Sequence, residues 1–392
     1  MTFESDAKAD FKIIFALTLV HFTGDFYTSF VTPLIPVYVE TFSLSLAQAG
    51  VITGLSRLLA FVVQPPVGYF ADRYRTRVFV LGGPLLAVVF ISLSGIVPSY
   101  PLLLLCVCLG SVGSAMFHPS TAGMVATYAG KHLGLSMSLF NMGGTAAFGL
   151  GPLFIALFVG AYGLNSMPLT MLLGLILIVV LIKTVPAPLG EGLTGMGFFG
   201  SLREVLGDVW KQILLIMIVM MLRAAVGQSF LTFIPLLCAE RGFSLVEIGA
   251  VVSIFTIMGA ISGVIAGHSA DRFGYMKIFL IAHGLSTPSL ILLLFLPGKW
   301  LYLGSALAGF FLMATLPLGV AMAQELAPRG RSMVSSLMMG FALGMGGTMT
   351  IATGSLADMF SIRSVLFVLA FIPLCSMGLI ARFPGPDSST RS

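Results

Sequence analysis

The chain has 392 residues, 57% hydrophobic and 9% charged, with a mean hydropathy of +1.04 and a formal net charge of +5. An average soluble domain carries roughly 25% charged residues, so this composition excludes a water-soluble globular fold and places the chain in a lipid bilayer. The positive balance is accounted for by membrane topology, and no nucleic-acid partner is expected.

Apolar runs of about 20 residues can cross a bilayer as helices. Taken in order they predict twelve, at about 12–38, 46–70, 78–97, 101–126, 134–160, 167–183, 212–237, 245–267, 277–297, 300–324, 332–356 and 363–382. Between Arg77 and Lys131 lie 53 residues without one Asp, Glu, Lys or Arg, room for two spans turned at Pro98-Ser-Tyr-Pro101. Lys131 to Lys183 encloses another 51, with a turn near Tyr162-Gly-Leu-Asn165. The first apolar run is too long for the hydrophobic region of a secretory signal and lacks a convincing cleavage site, so it is read as the first span. Thr184 to Lys211 is the long polar interruption. Its Pro186-Ala-Pro-Leu-Gly-Glu-Gly stretch reads as a linker. Phe199, Leu202, Val205, Leu206 and Val209 follow at helical spacing against Arg203, Glu204 and Asp208, which predicts a helix over 198–210 lying in the membrane interface. Cys106, Cys108, Cys238 and Cys375 show no paired spacing and read as small buried hydrophobes.

The two halves of the chain repeat one another. Gly68-Tyr-Phe-Ala-Asp72-Arg73-Tyr-Arg75-Thr-Arg77 is answered by Gly267-His-Ser-Ala-Asp271-Arg272-Phe-Gly274-Tyr-Met-Lys277, at an offset of 199 residues. A repeat of this length reads as a chain of two similar halves. The expected fold is therefore an all-α membrane protein of twelve transmembrane helices in two pseudo-symmetric bundles. Residues 1–183 form one six-helix bundle, 184–211 a cytoplasmic linker and 212–392 the other bundle. With the N-terminus inside, fifteen of the 20 Lys and Arg fall on the cytoplasmic side. Arg241, Lys299 and Arg363 fall outside, and Arg57 and Arg223 lie within spans. The positive-inside rule selects this topology, with both termini cytoplasmic in a bacterial-type inner membrane.

Small residues at every fourth position, as in Gly50-xxx-Gly54, Gly259-xxx-Gly263-xxx-Gly267 and Gly340-xxx-Gly344, mark close helix contacts without marking a site. The two-half organisation with its repeated Gly-x-x-x-Asp-Arg turns resembles the major facilitator superfamily along the whole chain. Further stretches resemble its fosmidomycin-resistance family of exporters: His21-x-x-x-Asp25, Gln64-Pro-x-Val-Gly-Tyr69, Gly110-Ser-Val-Gly-Ser114 with Phe117-His118-Pro119, Gln324-Glu325-Leu-x-Pro328, Met333-Val-Ser and Gly344-Met-Gly-Gly347. Gly143-Gly144 through Gly149-Leu-Gly151-Pro152 is similar to the fifth-helix motif of superfamily antiporters. The resemblance implies efflux by alternating access. It also implies that Gly68, Asp72, Arg73, Gly267, Asp271 and Arg272 act as gates that stabilise one closed face. Arg57 stands where the family pattern has a neutral polar residue. The aromatic residues favoured in its seventh helix are replaced here by Arg223-Ala-Ala-Val-Gly-Gln228.

Depth along the helices points to the same region. Asp25 follows Lys12 by 13 residues, Arg57 precedes Phe70 by 13, and Arg223 follows Lys211 by 12. At about 1.5 Å per residue each lies roughly 18 to 20 Å in, near mid-membrane. His21 is one turn from Asp25 on the same face, and His118 is at similar depth. Ionisable groups at such depth face a partner or a cavity. Asp25 is the expected proton carrier, with His21 and His118 as relays and Glu325 next in line. Asp25 can neutralise only one of the two arginines. The residual positive charge predicts an anionic substrate, a small carboxylate or phosphonate-like compound, held by Arg57 and Arg223 with Gln228 and Asn141 as neutral partners. Each residue also has a structural reading: His21 bonded to a carbonyl, Asp25 paired with Arg57, His118 bonded to a backbone acceptor freed by Pro119, and the arginines held by carbonyls.

No nucleophile motif, HExxH or CxxC supports an enzyme, and no cofactor is expected beyond the proton gradient as energy source. The expected partners are lipid, protons and the substrate, with a monomer as the functional unit. A proton-coupled importer of a small organic anion is the main alternative, and an exporter of a divalent metal held by His21, Asp25 and His118 is another.

Overall fold

The computed structural model describes residues 9–73, 77–187, 206–327, 334 and 337–383. Every regular element among the described residues is helical. The helices are α1 Phe11–Thr28, α2 Val31–Phe42, α3 Leu46–Arg73, α4 Val78–Leu93, α5 Tyr100–Tyr128, α6 Leu133–Tyr162 and α7 Thr170–Thr184. They continue as α8 Trp210–Glu240, α9 Leu245–Phe273, α10 Tyr275–Phe295, α11 Trp300–Met313, α12 Leu316–Leu326, α13 Leu343–Met359, α14 Ile362–Leu369 and α15 Ile372–Ile380. Ten helical stretches among the described residues are long and apolar enough to cross a membrane. The shorter α4 and the run from the π-helical turn Leu337–Ala342 into α13 occupy the other two predicted positions.

Three of the predicted spans are broken, and a proline accounts for each break. Proline offers no N–H to the carbonyl four residues back. Pro33 withdraws a partner from Ser29, Pro317 from Met313 and Pro373 from Leu369, and the helices stop at Thr28, Met313 and Leu369. Neighbouring helices attend to the loosened backbone. Thr287 Oγ1 donates to the Ala370 carbonyl at 2.7 Å, and Arg223 Nη1 approaches the Leu312 carbonyl at 3.4 Å. Other prolines, such as Pro119 in α5 and Pro152 in α6, sit within continuous helices.

The chain divides into two compact units, Met1–Leu34 with Leu59–Leu193 and Ile35–Leu58 with Thr194–Ser392. In the first, α1 is the central element, packed on α4, α5 and α6. In the second, α8 packs on α13 and α15, and α9 on α11. The division differs from a cut at 183, because residues 35–58 associate with the C-terminal helices. Small residues allow this: a Cβ on Gly50 or Gly354 would run into the backbone at Thr350 or at Leu46, respectively. The interfacial helix expected over 198–210 falls mostly outside the described residues. The chain resumes with a short turn, Gly207–Val209, leading into α8.

Candidate functional site

The buried titratable cluster of the first unit is built on α1 and α5. His21 and Asp25, one helical turn apart on α1, are 6% and 2% exposed. Asp25 Oδ2 lies 3.1 Å from His21 Nε2 and 3.5 Å from Nε2 of His118 on α5. Ser114 Oγ donates to the other carboxylate oxygen at 3.4 Å. His118 keeps 28% of its side chain exposed, so the cluster is open on that side.

Both imidazoles are fixed from behind by carbonyl oxygens, which can only accept. His21 Nδ1 donates to Phe140 at 2.8 Å, and His118 Nδ1 donates to Ser114 at 2.6 Å. Each ring therefore carries its first proton on Nδ1 and turns Nε2 toward the carboxylate. A neutral ring would set a lone pair against a carboxylate oxygen. The close approach is favourable when at least one further proton resides on an Nε2 or on Asp25 itself. The carbonyl bond of the structural reading for His21 is thus present, whereas His118 bonds Ser114 and not Ala115, the acceptor that Pro119 frees; both inward nitrogens are turned toward Asp25. The donor atoms of the three residues lie within 4.8 Å of one another.

Glycines on α6 let this cluster form. A Cβ on Gly144 would overlap His21 Nε2 and sit 3.0 Å from Asp25 Oδ2. One on Gly143 would come 2.6 Å from the Thr18 carbonyl. The fifth-span glycine motif therefore brings the α6 backbone directly against the face of α1 that carries His21 and Asp25.

The arginines belong to the second unit. Arg223 on α8 is 3% exposed, with Nη1 at 3.4 Å from both the Leu312 carbonyl and Met313 Sδ, where α11 ends. Its Nε has no partner among the described atoms. Arg57 is half-buried on α3, and its Cβ and Cγ abut Gly347 of α13. The adjacent Gly346 abuts Ala224 and the Met221 carbonyl of α8. One turn of α13 therefore separates the Arg57 stem from the backbone beside Arg223. Gln228 is half-buried on α8, and Asn141 is exposed on α6. Glu325 is also exposed, accepting from Tyr275 Oη at 2.5 Å.

Of the gate residues, Gly267 has no atom near its would-be Cβ, and the exposed Arg272 guanidinium sits 5.3 Å from the Phe273 ring. Gly68, Asp72, Arg73 and Asp271 are helical, and their side chains lie outside the described set. One residue that sequence reasoning passed over is His283 on α10. It is 2% exposed, its Nδ1 donates to Phe279 at 3.0 Å, and its Nε2 has no partner among the described atoms. Arg223 is close enough to act on it electrostatically. A lone histidine inside the apolar ninth span was its one signal.

The profile of the Major Facilitator Superfamily matches residues 17–332 and 242–392. The chain belongs to this superfamily. The fosmidomycin resistance protein of Escherichia coli strain K12 is 29% identical over 384 residues, covering 95% of this chain and 92% of that protein. An uncharacterised superfamily transporter of Bacillus subtilis, YfnC, is 27% identical over 406 residues, covering 100% and 97%. Among solved structures, a point mutant of the nucleoside transporter NupG superposes with a TM-score of 0.80 at 15% identity, covering 95% of this chain and 100% of the other. Major facilitator proteins are membrane transporters and not enzymes, as composition and motifs here predict. The fold is the superfamily's twelve-helix fold.

Proposed function

We propose that this major facilitator exports a small anionic organic compound, a carboxylate or phosphonate, in exchange for protons carried on the His21–Asp25–His118 cluster. The observation that carries the reading is the geometry of the two histidines: with each Nδ1 committed to a carbonyl, their approach to Asp25 calls for a further bound proton. A buried group that gains and loses a proton as it faces one side and then the other is what an antiporter needs. The name of the Escherichia coli relative, fosmidomycin resistance protein, supports a drug-efflux reading. The unpartnered Nε of buried Arg223 supports an anion, since a guanidinium in low dielectric is costly without a counter-charge. Arg57, Gln228 and Asn141 complete the proposed substrate set. Gly68, Asp72, Arg73, Gly267, Asp271 and Arg272 act as gates, and the working unit is a monomer. The carrier resides in a bacterial-type inner membrane with both termini cytoplasmic.

Reconstitution in vesicles of known orientation tests this. Anionic compounds, neutral compounds and divalent metals are screened for substrate-induced internal pH change. Asp25→Asn should abolish pH-driven accumulation and leave substrate exchange measurable. Accumulation by the Asn variant would remove the cluster from coupling. A response to metals alone would favour the divalent-metal exporter, and substrate moving with protons rather than against them would favour the importer.

A further inference from the structure

The N-terminus of α3 is capped from two directions. Ser45 and Gln48 form a reciprocal box, with Gln48 N–H donating to Ser45 Oγ at 3.2 Å and Ser45 N–H to Gln48 Oε1 at 2.9 Å. The N–H groups of Leu46 and Ala47 go elsewhere, to Asp358 Oδ1 at 2.8 Å and Oδ2 at 2.9 Å. Asp358 lies more than 300 residues away, next to the last residue of α13. A carboxylate at a helix N-terminus meets both the unsatisfied N–H groups and the positive end of the helix dipole.

The repeat shows that this arrangement is not generic. At the 199-residue offset Ser45 and Gln48 correspond to Ser244 and Glu247, at the start of α9. There the carboxylate is supplied within the helix: Glu247 Oε2 accepts from both the N–H and the Oγ of Ser244 at 2.8 Å. The position equivalent to Asp358 is Val159, a buried apolar residue on α6. One repeat thus holds its N-terminal carboxylate in cis and the other borrows one from a different span. Gln48, where the other repeat has Glu247, avoids a second negative charge facing Asp358.

Below this cap the two helices meet in neutral, closely fitted rungs. Thr350 Oγ1 donates to the Gly50 carbonyl at 2.9 Å, Gly354 backs onto the Leu46 backbone, and Thr53 Oγ1 and Thr232 Oγ1 share a hydrogen bond at 2.9 Å. Such rungs pack well and carry little direction, whereas the charged cap has a defined geometry and a dipole behind it. We propose that Asp358 is a latch that holds the outer ends of the second and eleventh spans together and is released each time the carrier opens outward. This rests on the alternating-access reading above.

The test uses purified full-length carrier in micelles, with the four native cysteines replaced by Ala and one probe, Thr350→Cys, placed on the face of α13 that meets α3 below the latch. Thr350 is fully buried against the Gly50 carbonyl, so maleimide labelling reports how often the two helices part. Asp358→Ala should raise the labelling rate on the order of fivefold to thirtyfold, the effect of losing a charged cap. Asp358→Asn, which still accepts one N–H, should fall between. Gln48→Glu with Asp358 intact should also accelerate labelling, through like-charge repulsion at the helix end. The double variant Gln48→Glu/Asp358→Ala rebuilds the cis cap seen in α9. It should recover thermal stability and still label as fast as Asp358→Ala, which separates unlatching from misfolding. Labelling at the parent rate in both Asp358→Ala and the double variant overturns the proposal. The measurement needs no pH gradient and no substrate, so it stands or falls separately from proton coupling through Asp25.

Discussion

Gly144 of α6 faces His21 of α1 so closely that even a methyl group there would overlap the imidazole Nε2. The carboxylate of Asp25 lies on the same side, 3.0 Å from that would-be Cβ. Gly144→Ala is therefore expected to displace His21 from Asp25 and to lower pH-driven transport at least about tenfold, since a misplacement of about 1 Å at a working site can cost on the order of a hundredfold. Gly123→Ala, at a position with open space around it, is the control and should transport as the parent does. Equal activity of the two variants in proteoliposomes would mean that the close approach has no part in coupling.

The histidines should differ in their contribution. His21 is buried and 3.1 Å from Asp25, while His118 is partly exposed and 3.5 Å away. A glutamine at either position keeps a neutral donor and removes the titrating ring. His21→Gln is expected to abolish the pH dependence of transport. His118→Gln should slow proton entry and leave transport pH-dependent. Transport rates measured between pH 5.5 and 8.5 check this, and the reverse pattern would place proton entry at His21.

Arg223 tests the anion reading against a structural one. Its guanidinium approaches the Leu312 carbonyl at the break between α11 and α12, a role that a glutamine amide can take over without charge. Arg223→Gln should therefore fold and lose at least about tenfold in affinity for anionic compounds, in keeping with the 1.5 to 3 kcal/mol of a charge-assisted hydrogen bond. Unchanged anion binding by a normally folded Arg223→Gln would leave the residue only its place at the helix break.

Helix number and the repeat were legible because apolar run length and charge placement are one-dimensional properties. Position along the helix was legible for the same reason: counting from Lys12 sets Asp25 well inside the first span, where it is buried. Azimuth was not. Counting cannot say which way a side chain points around its helix, so Asp25 was expected to answer Arg57. In the structure its Oδ2 is engaged by the imidazoles of His21 and His118. The broken spans were missed for a different reason. Pro33, Pro317 and Pro373 follow helix breaks, whereas Pro119 and Pro152 lie inside continuous helices, and the presence of a proline in an apolar run does not by itself separate the two outcomes. The cap on α3 drew no reading from the sequence, because Asp358 is more than 300 residues from the N–H groups it accepts and so leaves no local pattern.

Topology yields a further prediction. With the N-terminus inside, Ser99, between α4 and α5, lies on the outer side and Thr184, at the end of α7, on the inner side. In a background without native cysteines, Ser99→Cys should react with an impermeant thiol reagent in intact cells and Thr184→Cys only after the membrane is opened. Labelling of position 184 from outside would invert the proposed orientation.

The last prediction concerns the first unit's stability. The Tyr27 hydroxyl, 1% exposed, donates to the Thr170 carbonyl at 2.5 Å and accepts the Gly174 N–H at 2.9 Å. Thr170 and Gly174 are the i and i+4 positions of the first turn of α7, so the hydroxyl is inserted into what would otherwise be a helical hydrogen bond. Gly174 permits this, because a Cβ there would come 2.8 Å from the same oxygen. Tyr27→Phe removes the bridging oxygen and leaves a buried carbonyl and a buried N–H facing each other across a gap. A buried group left unsatisfied costs about 1 to 3 kcal/mol, more than closing the helical bond can return if the ring holds the turn open. The variant should melt several degrees below the parent in a detergent thermal-shift assay. The proposed proton coupling, assigned to the face of α1 that carries His21 and Asp25, should be unchanged. A melting temperature equal to the parent's would show that α7 simply closes its first turn when the hydroxyl is gone.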